Sequence, residues 1–132
     1  HVIDGYNYLQ QRGYPDAARI SLTHSYPIPD ARSGSAPWDG TKEELDFVQA
    51  YLNTNRYDDY DRLIQLCDSI ALPNGFCLME KRLIDVVMRY GVNEFTFLKW
   101  KAYFEVKSSI EKAIGRSVYD LLPGVVETTF ER

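Results

Sequence analysis

Apolar residues recur at helical spacing along most of this chain. Val2, Tyr6 and Leu9 are separated by four and then three residues, which places them on one face of a helix that ends near Gly13. Pro15 suits the first turn of a second helix. The predicted inner face of that second helix consists of Ala17, Ile20 and His24.

The segment from Tyr26 to Gly40 interrupts this pattern. It contains several residues that break regular structure, namely Pro27, Pro29, Gly34, Pro37 and Gly40. A connection of this length in a compact domain is usually functional or mobile. We therefore expect the segment either to pack poorly or to lie over a cleft.

Helical spacing resumes at Thr41, which forms a predicted capping box with Glu44. Carboxylates cluster before the next helix, from Asp58 onwards, where they favour the positive end of the helix dipole. The predicted core stripe of that helix is Tyr60, Leu63, Ile64, Cys67, Ile70 and Ala71.

The last part of the chain continues as two more predicted helices. The sequence from Pro73 to Gly75 predicts a tight turn into a returning helix that starts near Phe76 and that Gly91 ends. Asn93 can cap a long final helix, whose predicted stripe is Phe97, Trp100, Lys101, Phe104, Ile110 and Ile114. The tail from Gly124 is predicted to be irregular. The pattern as a whole predicts one all-α domain over residues 1–132, with five or six helices.

Composition narrows the classes of function. The net charge is −4, and no basic stripe is present, which argues against binding of a nucleic-acid polymer. No run of 18 apolar residues predicts a membrane span. Two cysteines, Cys67 and Cys77, are too few for a disulfide framework, and each is expected to be a small core residue. We therefore expect a cytoplasmic protein, and the sequence leaves a homo-oligomer open.

Three residues carry the chemistry of a hydrolytic metal site. His1 and His24 are the only histidines, and Asp68 lies at the inward edge of its predicted helix. Imidazole and carboxylate groups are ligands for catalytic metal ions. Gly5, one turn after His1, allows another backbone or a substrate to approach closely. Each residue also has a structural interpretation. His24 could be a core histidine hydrogen-bonded to the backbone, and His1 could be an exposed first residue. Asp68 could form an ion pair with Arg62 or Arg82.

Two basic residues, Lys81 and Arg82, lie on the polar side of the helix after the turn and could hold a phosphate. Such residues also commonly pair with carboxylates one turn away, as Lys81 could with Asp85. Trp38 is an aromatic residue in the long loop, where it could cap a pocket or anchor the loop.

Several stretches, read in order, resemble the later part of an HD-domain phosphohydrolase. They are His1-Val-Ile-Asp-Gly5-Tyr, Gly13-Tyr-Pro15, Ala18-Arg-Ile20, Thr23-His24-Ser25, Tyr57 to Asp68, and Met79-Glu-Lys-Arg-Leu83. The resemblance covers the chain to about Tyr119. It implies an HD-like all-α bundle that holds one or two divalent metal ions (Mn, Mg, Fe, Ni or Zn), which activate water against a phosphate ester.

The resemblance also assigns roles to residues of this chain. Asp68 resembles the late aspartate ligand of the family, with a catalytic role that His24 would share. His1 and His24 resemble the intermediate histidines, which complete a second metal position or contact the phosphate. Lys81 and Arg82 are the expected substrate-binding residues.

The chain departs from the family pattern at its most specific point, because it holds neither the early histidine nor a His-Asp doublet. In the family both precede the position of His1, so we expect no fully coordinated metal within this chain. The leading hypothesis is a metal-dependent phosphohydrolase that acts on a small phosphorylated substrate, such as a nucleotide. A catalytically inactive HD-like binding or regulatory domain is the alternative. A copper enzyme with an N-terminal histidine ligand conflicts with the helical pattern.

Overall fold

The computed structural model describes residues 1–132 and shows an all-α chain, as predicted. Seven α-helices account for most of it: α1 (Val2–Gln11), α2 (Pro15–Thr23), α3 (Lys42–Thr54), α4 (Asp59–Ser69), α5 (Met79–Tyr90), α6 (Thr96–Ile114) and α7 (Val125–Phe130). Short 3-10 helices cover Ala31–Ser33 and Val118–Leu121. No helix combines the length and apolar character that a membrane span requires.

The predicted helix starts are mostly confirmed. Pro15 occupies the first turn of α2, and Thr41 and Glu44 form both hydrogen bonds of the capping box that begins α3. A second capping box joins Asp58 to Asp61 at the start of α4. Backbone N–H groups in these first turns therefore find side-chain partners without help from distant parts of the chain.

Two predicted boundaries are wrong. The tail after Gly124 is helical, because Thr129 Oγ1 accepts a hydrogen bond from the Leu78 N–H at 2.9 Å and fixes the segment against the start of α5. Helix α5 begins at Met79, because Phe76 belongs to a two-stranded antiparallel hairpin, β1 (Ala71–Leu72) and β2 (Gly75–Phe76).

The core consists of two hydrophobic clusters. The first joins α1, α2, the long loop and α3 through Val2, Leu22, Tyr26, Ala31, Val48 and Leu52. The second joins α4, α5, α6 and the second 3-10 helix through Leu66, Ile70, Met79, Leu83, Tyr103, Val106 and Val118. Apolar burial within each cluster stabilises its helices, so the two groups of helices must be joined by other contacts.

Helix α4 joins them with a polar face. The residues predicted to form its core, Tyr60, Leu63, Ile64 and Cys67, are exposed. The fully buried positions on the opposite side are Asp61 and Gln65. The core prediction is therefore wrong for these four residues, because hydrogen bonds across the interface with α2 offset the cost of burying polar groups. It is confirmed for Ile70, which is buried in the second cluster.

The α2–α4 contact is a buried hydrogen-bond network. Thr23 Oγ1 donates to Asp61 Oδ1 at 2.6 Å, and Asp61 Oδ2 accepts from the Asp58 N–H at 2.8 Å. The Gln65 side-chain amide donates to the backbone carbonyl oxygen of Thr23 at 3.2 Å. Arg19 Nε lies 3.5 Å from Asp61 Oδ1 and supplies the countercharge. These contacts fix the C-terminal end of α2, immediately before His24.

Two other predicted helix faces are rotated by one residue. Ala17 is exposed and Ala18 is buried in α2, and Phe97 is 70% exposed in α6. The buried residues of α6 are Thr96, Lys99, Tyr103 and Val106. The rotation turns Lys99 of α6 toward the interior.

Candidate functional site

A cavity of about 670 Å³ lies between the long loop, the start of α6, the ends of α4 and α5, and the two histidines. Four of the residues predicted for the site line it: His1, His24, Asp68 and Arg82. Such a volume lies within the range that accommodates a small-molecule ligand.

The long loop forms one side of this cavity. Residues from Ala31 to Asp39 belong to the lining, and Ala31 and Ser33 are buried. Gln49 of α3 accepts a hydrogen bond from the Ala31 N–H at 2.9 Å, and Trp38 Nε1 donates to the Thr41 carbonyl oxygen at the same distance. The loop therefore borders the cleft, which was one of the two outcomes predicted for it. The other outcome, poor packing, is not observed for its inner residues.

The two histidines lie edge to face, with ring centroids 5.6 Å apart. His24 Nδ1 contacts the Ser21 carbonyl oxygen at 2.7 Å, so this nitrogen carries the proton, because a carbonyl can only accept. In the neutral ring the opposite nitrogen, Nε2, then has the lone pair, and the Ser25 hydroxyl lies 3.1 Å from it. His1 Nε2 lies 3.4 Å from the same hydroxyl. The backbone of α2 thus orients His24 with a basic nitrogen toward Ser25 and His1.

Gly5 allows the close approach of α1 to α2 that positions this pair. A Cβ atom at residue 5 would collide with Ser21 Oγ of the facing helix. A close neighbour is therefore present at Gly5, but it is a side chain of α2 and not the backbone or substrate that the sequence predicted.

This contact gives a double-mutant test. Gly5→Ala alone combines about 1 kcal/mol of helix-propensity gain with a steric cost against Ser21. Adding Ser21→Ala removes the colliding oxygen, so Gly5→Ala should then be stabilising. Urea denaturation of the four proteins should give a coupling free energy of about 1 kcal/mol. Simple additivity would contradict the contact.

Asp68 is held by Arg82. The nearest guanidinium nitrogen lies 3.7 Å from Asp68 Oδ1, and Arg82 Nε donates to the Asp68 backbone carbonyl at 3.2 Å. Arg82 also contacts Asp85 at 3.2 Å. The ion-pair interpretation of Asp68 is therefore present in the structure, and the pair is part of the cavity lining.

Lys81 lies elsewhere. Its ammonium donates to the Thr129 carbonyl oxygen at 2.9 Å and pairs with Glu131 at 3.1 Å, and it is absent from the cavity lining. Cys67 is exposed rather than a core residue, whereas Cys77 is buried as predicted.

Sequence reasoning missed Lys99. This residue is only 7% exposed, lines the cavity, and donates to Ser35 Oγ in the long loop at 2.8 Å. Burial lowers its pKa to about 8, an effect that the charge of Asp68 partly opposes. The spacing of Thr96, Lys99, Tyr103 and Val106 is itself helical and could have indicated this face. The larger aromatic residues beside it gave a stronger but misleading signal.

The lining carries more positive than negative charge. Its formal cations are Arg32, Arg82, Arg89 and Lys99, and its carboxylates are Asp39 and Asp68. The whole chain has the opposite balance, with a net charge of −4. Asp30 and Asp85 lie just outside the lining and pair with Arg32, Arg82 and Arg89, so Lys99 is the cation of the lining that has no ion-pair partner. A buried ammonium of this kind favours an anionic ligand.

The donors of this chain do not fit a metal centre by themselves. No group of three or more His, Cys, Asp or Glu side chains converges to hold an ion. Asp68 is engaged by Arg82, and the basic nitrogen of His24 faces Ser25. A metal ion at this cavity would therefore need ligands that these residues do not supply.

Comparison of the chain with protein-family models, with curated proteins and with solved structures found no match.

Proposed function

We propose that this chain binds a small phosphate ester in the cavity, as the substrate-binding part of an HD-type phosphohydrolase. The observation that supports this most directly is that four cationic side chains, Arg32, Arg82, Arg89 and Lys99, line one cavity of an acidic protein. Arginine matches phosphate with paired N–H donors, and Arg82 is directed by its contacts with Asp68 and Asp85.

The remaining lining suits the organic part of such an ester. Trp38, Trp100 and Tyr103 line the same cavity as the cations. Aromatic faces stack on planar groups, so a nucleotide would satisfy both kinds of lining residue. His24 contributes a nitrogen that can accept a proton or a hydrogen bond from the ligand.

Binding can be measured on the purified chain. Titration calorimetry with a nucleoside monophosphate should show saturable binding, whereas the matching nucleoside without phosphate should bind at least about tenfold more weakly, because it lacks the charge-assisted hydrogen bonds. Inorganic phosphate should compete. Equal affinity for nucleoside and nucleotide would contradict a phosphate-binding cavity.

Hydrolysis is a separate proposal. The divalent ion that the resemblance implies requires ligands beyond those of this chain, so the chain alone should bind without turnover. A protein that carries this sequence together with a His-Asp doublet should release phosphate in the presence of Mn²⁺ or Mg²⁺. Its Asp68→Ala variant should lose most of that activity, and added metal should partly restore it. Turnover by the chain alone, lost in its Asp68 variant, would overturn the proposal.

The second candidate is an HD-like binding or regulatory domain without catalysis. The absence of a group of three metal-ligating side chains favours it. Both candidates predict phosphate-ester binding, and they differ in turnover by the doublet-containing protein. Persistent inactivity of that protein with every divalent ion tested would favour the binding domain.

A further inference from the structure

Lys99 differs from the other cations of the cavity in having no carboxylate partner. Arg32 pairs with Asp30 at 2.7 Å, and Arg89 pairs with Asp85 at 2.8 Å. Lys99 is the most deeply buried of these groups, and its only hydrogen bond goes to the neutral Ser35 hydroxyl. The cavity therefore contains one ammonium group whose charge is not compensated by direct contact.

A lysine ammonium has three N–H donors, and only one of them is used here. An unpaired charge away from water is costly unless a counterion reaches it. Asp68 acts on Lys99 through space but forms no ion pair with it. An anion that enters the cavity would satisfy the two remaining donors and the charge together.

The position of Lys99 in the first turn of α6 adds a second attraction for an anion. Helix α6 has 19 residues, and no acidic residue occupies its first turn. Thr96, its first residue, also lines the cavity. The positive end of this helix dipole therefore lies beside the buried ammonium.

We infer that Lys99 binds a phosphate oxygen of the ester, with the Ser35 hydroxyl as a second donor. Ser35 Oγ accepts from Lys99 at 2.8 Å, so its own proton is free to be donated to the same phosphate. Binding would then connect the long loop to α6 through the ligand. This inference rests on the proposed function, and it adds an anchor that the HD resemblance does not supply.

Lys99→Met is the direct test, because methionine fills a similar volume without charge. The matched control is Lys101→Met, which removes an exposed lysine two residues along α6 and outside the cavity. Calorimetric titration with inorganic phosphate and with a nucleoside monophosphate should show a loss of affinity of about tenfold to a hundredfold for Lys99→Met. Lys101→Met should bind like the unmodified chain.

A thermal melt without ligand separates a ligand-binding lysine from a structural one. Lys99→Met should melt at or above the temperature of the unmodified chain, because it removes a buried unpaired charge. A lower melting temperature together with unchanged phosphate affinity would show that Lys99 only stabilises the long loop through its hydrogen bond to Ser35. That result would overturn the inference.

Ser35→Ala keeps the inference testable if Lys99→Met fails to fold, because Ser35 is exposed. We expect it to weaken phosphate binding several-fold, and unchanged binding in that variant would exclude the paired donor. If the unmodified chain binds neither phosphate nor nucleotide, the proposed function itself fails. If it binds both and Lys99→Met binds equally well, only the role of Lys99 is wrong.

Discussion

Asp61→Ala is expected to lower the free energy of unfolding by about 2–4 kcal/mol, because it leaves buried donors without an acceptor. The substitution removes the acceptor of Thr23 Oγ1 and the carboxylate beside Arg19 Nε, while Arg19 keeps its 2.7 Å ion pair with Asp58. It also removes the acceptor for the Asp58 N–H at the start of α4. Since this network holds the end of α2, the orientation of His24 should change as well.

The matched control is Asp59→Ala, which removes an exposed carboxylate from the same helical turn. Surface substitutions of this kind usually change stability by less than about 0.5 kcal/mol. Asp61→Asn should fall between the two, because Thr23 and the Asp58 N–H donate to different oxygens of Asp61, and an amide NH₂ replaces one of these acceptors. Urea denaturation gives all three values, and a loss below about 1 kcal/mol for Asp61→Ala would show that the network contributes little.

Lys99 should make the stability of the chain rise with pH from about pH 8, and groups with a raised pKa should then reverse that rise. The pKa of Lys99 is lowered from 10.5 to about 8 in the folded chain. Between these two values the unfolded chain binds more protons than the folded chain, so stability rises with pH. The cost of burying the charged ammonium of Lys99 is fully present below pH 8. Deprotonation of Lys99 removes this cost as the pH rises to 10.5, which raises the free energy of unfolding by about 3 kcal/mol.

Burial raises the pKa of both cysteines and of five tyrosines in the folded chain, and these groups oppose the rise at higher pH: Cys67, Cys77, Tyr26, Tyr51, Tyr57, Tyr103 and Tyr119. Burial raises the pKa of Tyr57 and Tyr103 well above the ordinary value of 10.0. Above pH 10 the unfolded chain therefore loses phenolic protons that the folded chain retains, and stability falls. The two effects together produce a maximum in stability.

Chemical denaturation at half-unit steps from pH 7 to pH 11 measures this profile. Between pH 8 and pH 10.5 the free energy of unfolding of the unmodified chain should increase relative to that of Lys99→Met by about 3 kcal/mol. Lys101→Met should follow the profile of the unmodified chain. A difference between the unmodified chain and Lys99→Met that does not change with pH would show that Lys99 is not the titrating group.

Local signals in the sequence predicted the helices well because they act within one or two turns. Thr41 and Glu44 satisfy each other's backbone groups, and Pro15 has the backbone angle of a first helical turn. Gly91 ends α5 with a φ of 78°, a conformation that favours glycine. None of these interactions depends on a distant residue, so the sequence could predict them.

The candidate site was predicted only in part. His1, His24 and Asp68 line one cavity, as their edge or inward placement indicated, and Arg82, which was predicted on the polar side of its helix, lines it too. Lys81 contacts α7 instead, because the tail folds into a helix whose end carries acceptors for its ammonium. That contact spans 48 residues, and no local pattern in the sequence reveals it.

The sequence alone determined that this protein is helical, where most helices begin and end, and that its histidines and Asp68 face a common region. Tertiary structure decided which face of α4 and α6 is buried. Asp61, Gln65 and Lys99 are turned inward, while Tyr60, Leu63 and Phe97 remain exposed. The physical reason is that burial of a polar side chain becomes favourable only when its hydrogen-bond partners are in place. Those partners come from α2 and the long loop, which are remote in sequence.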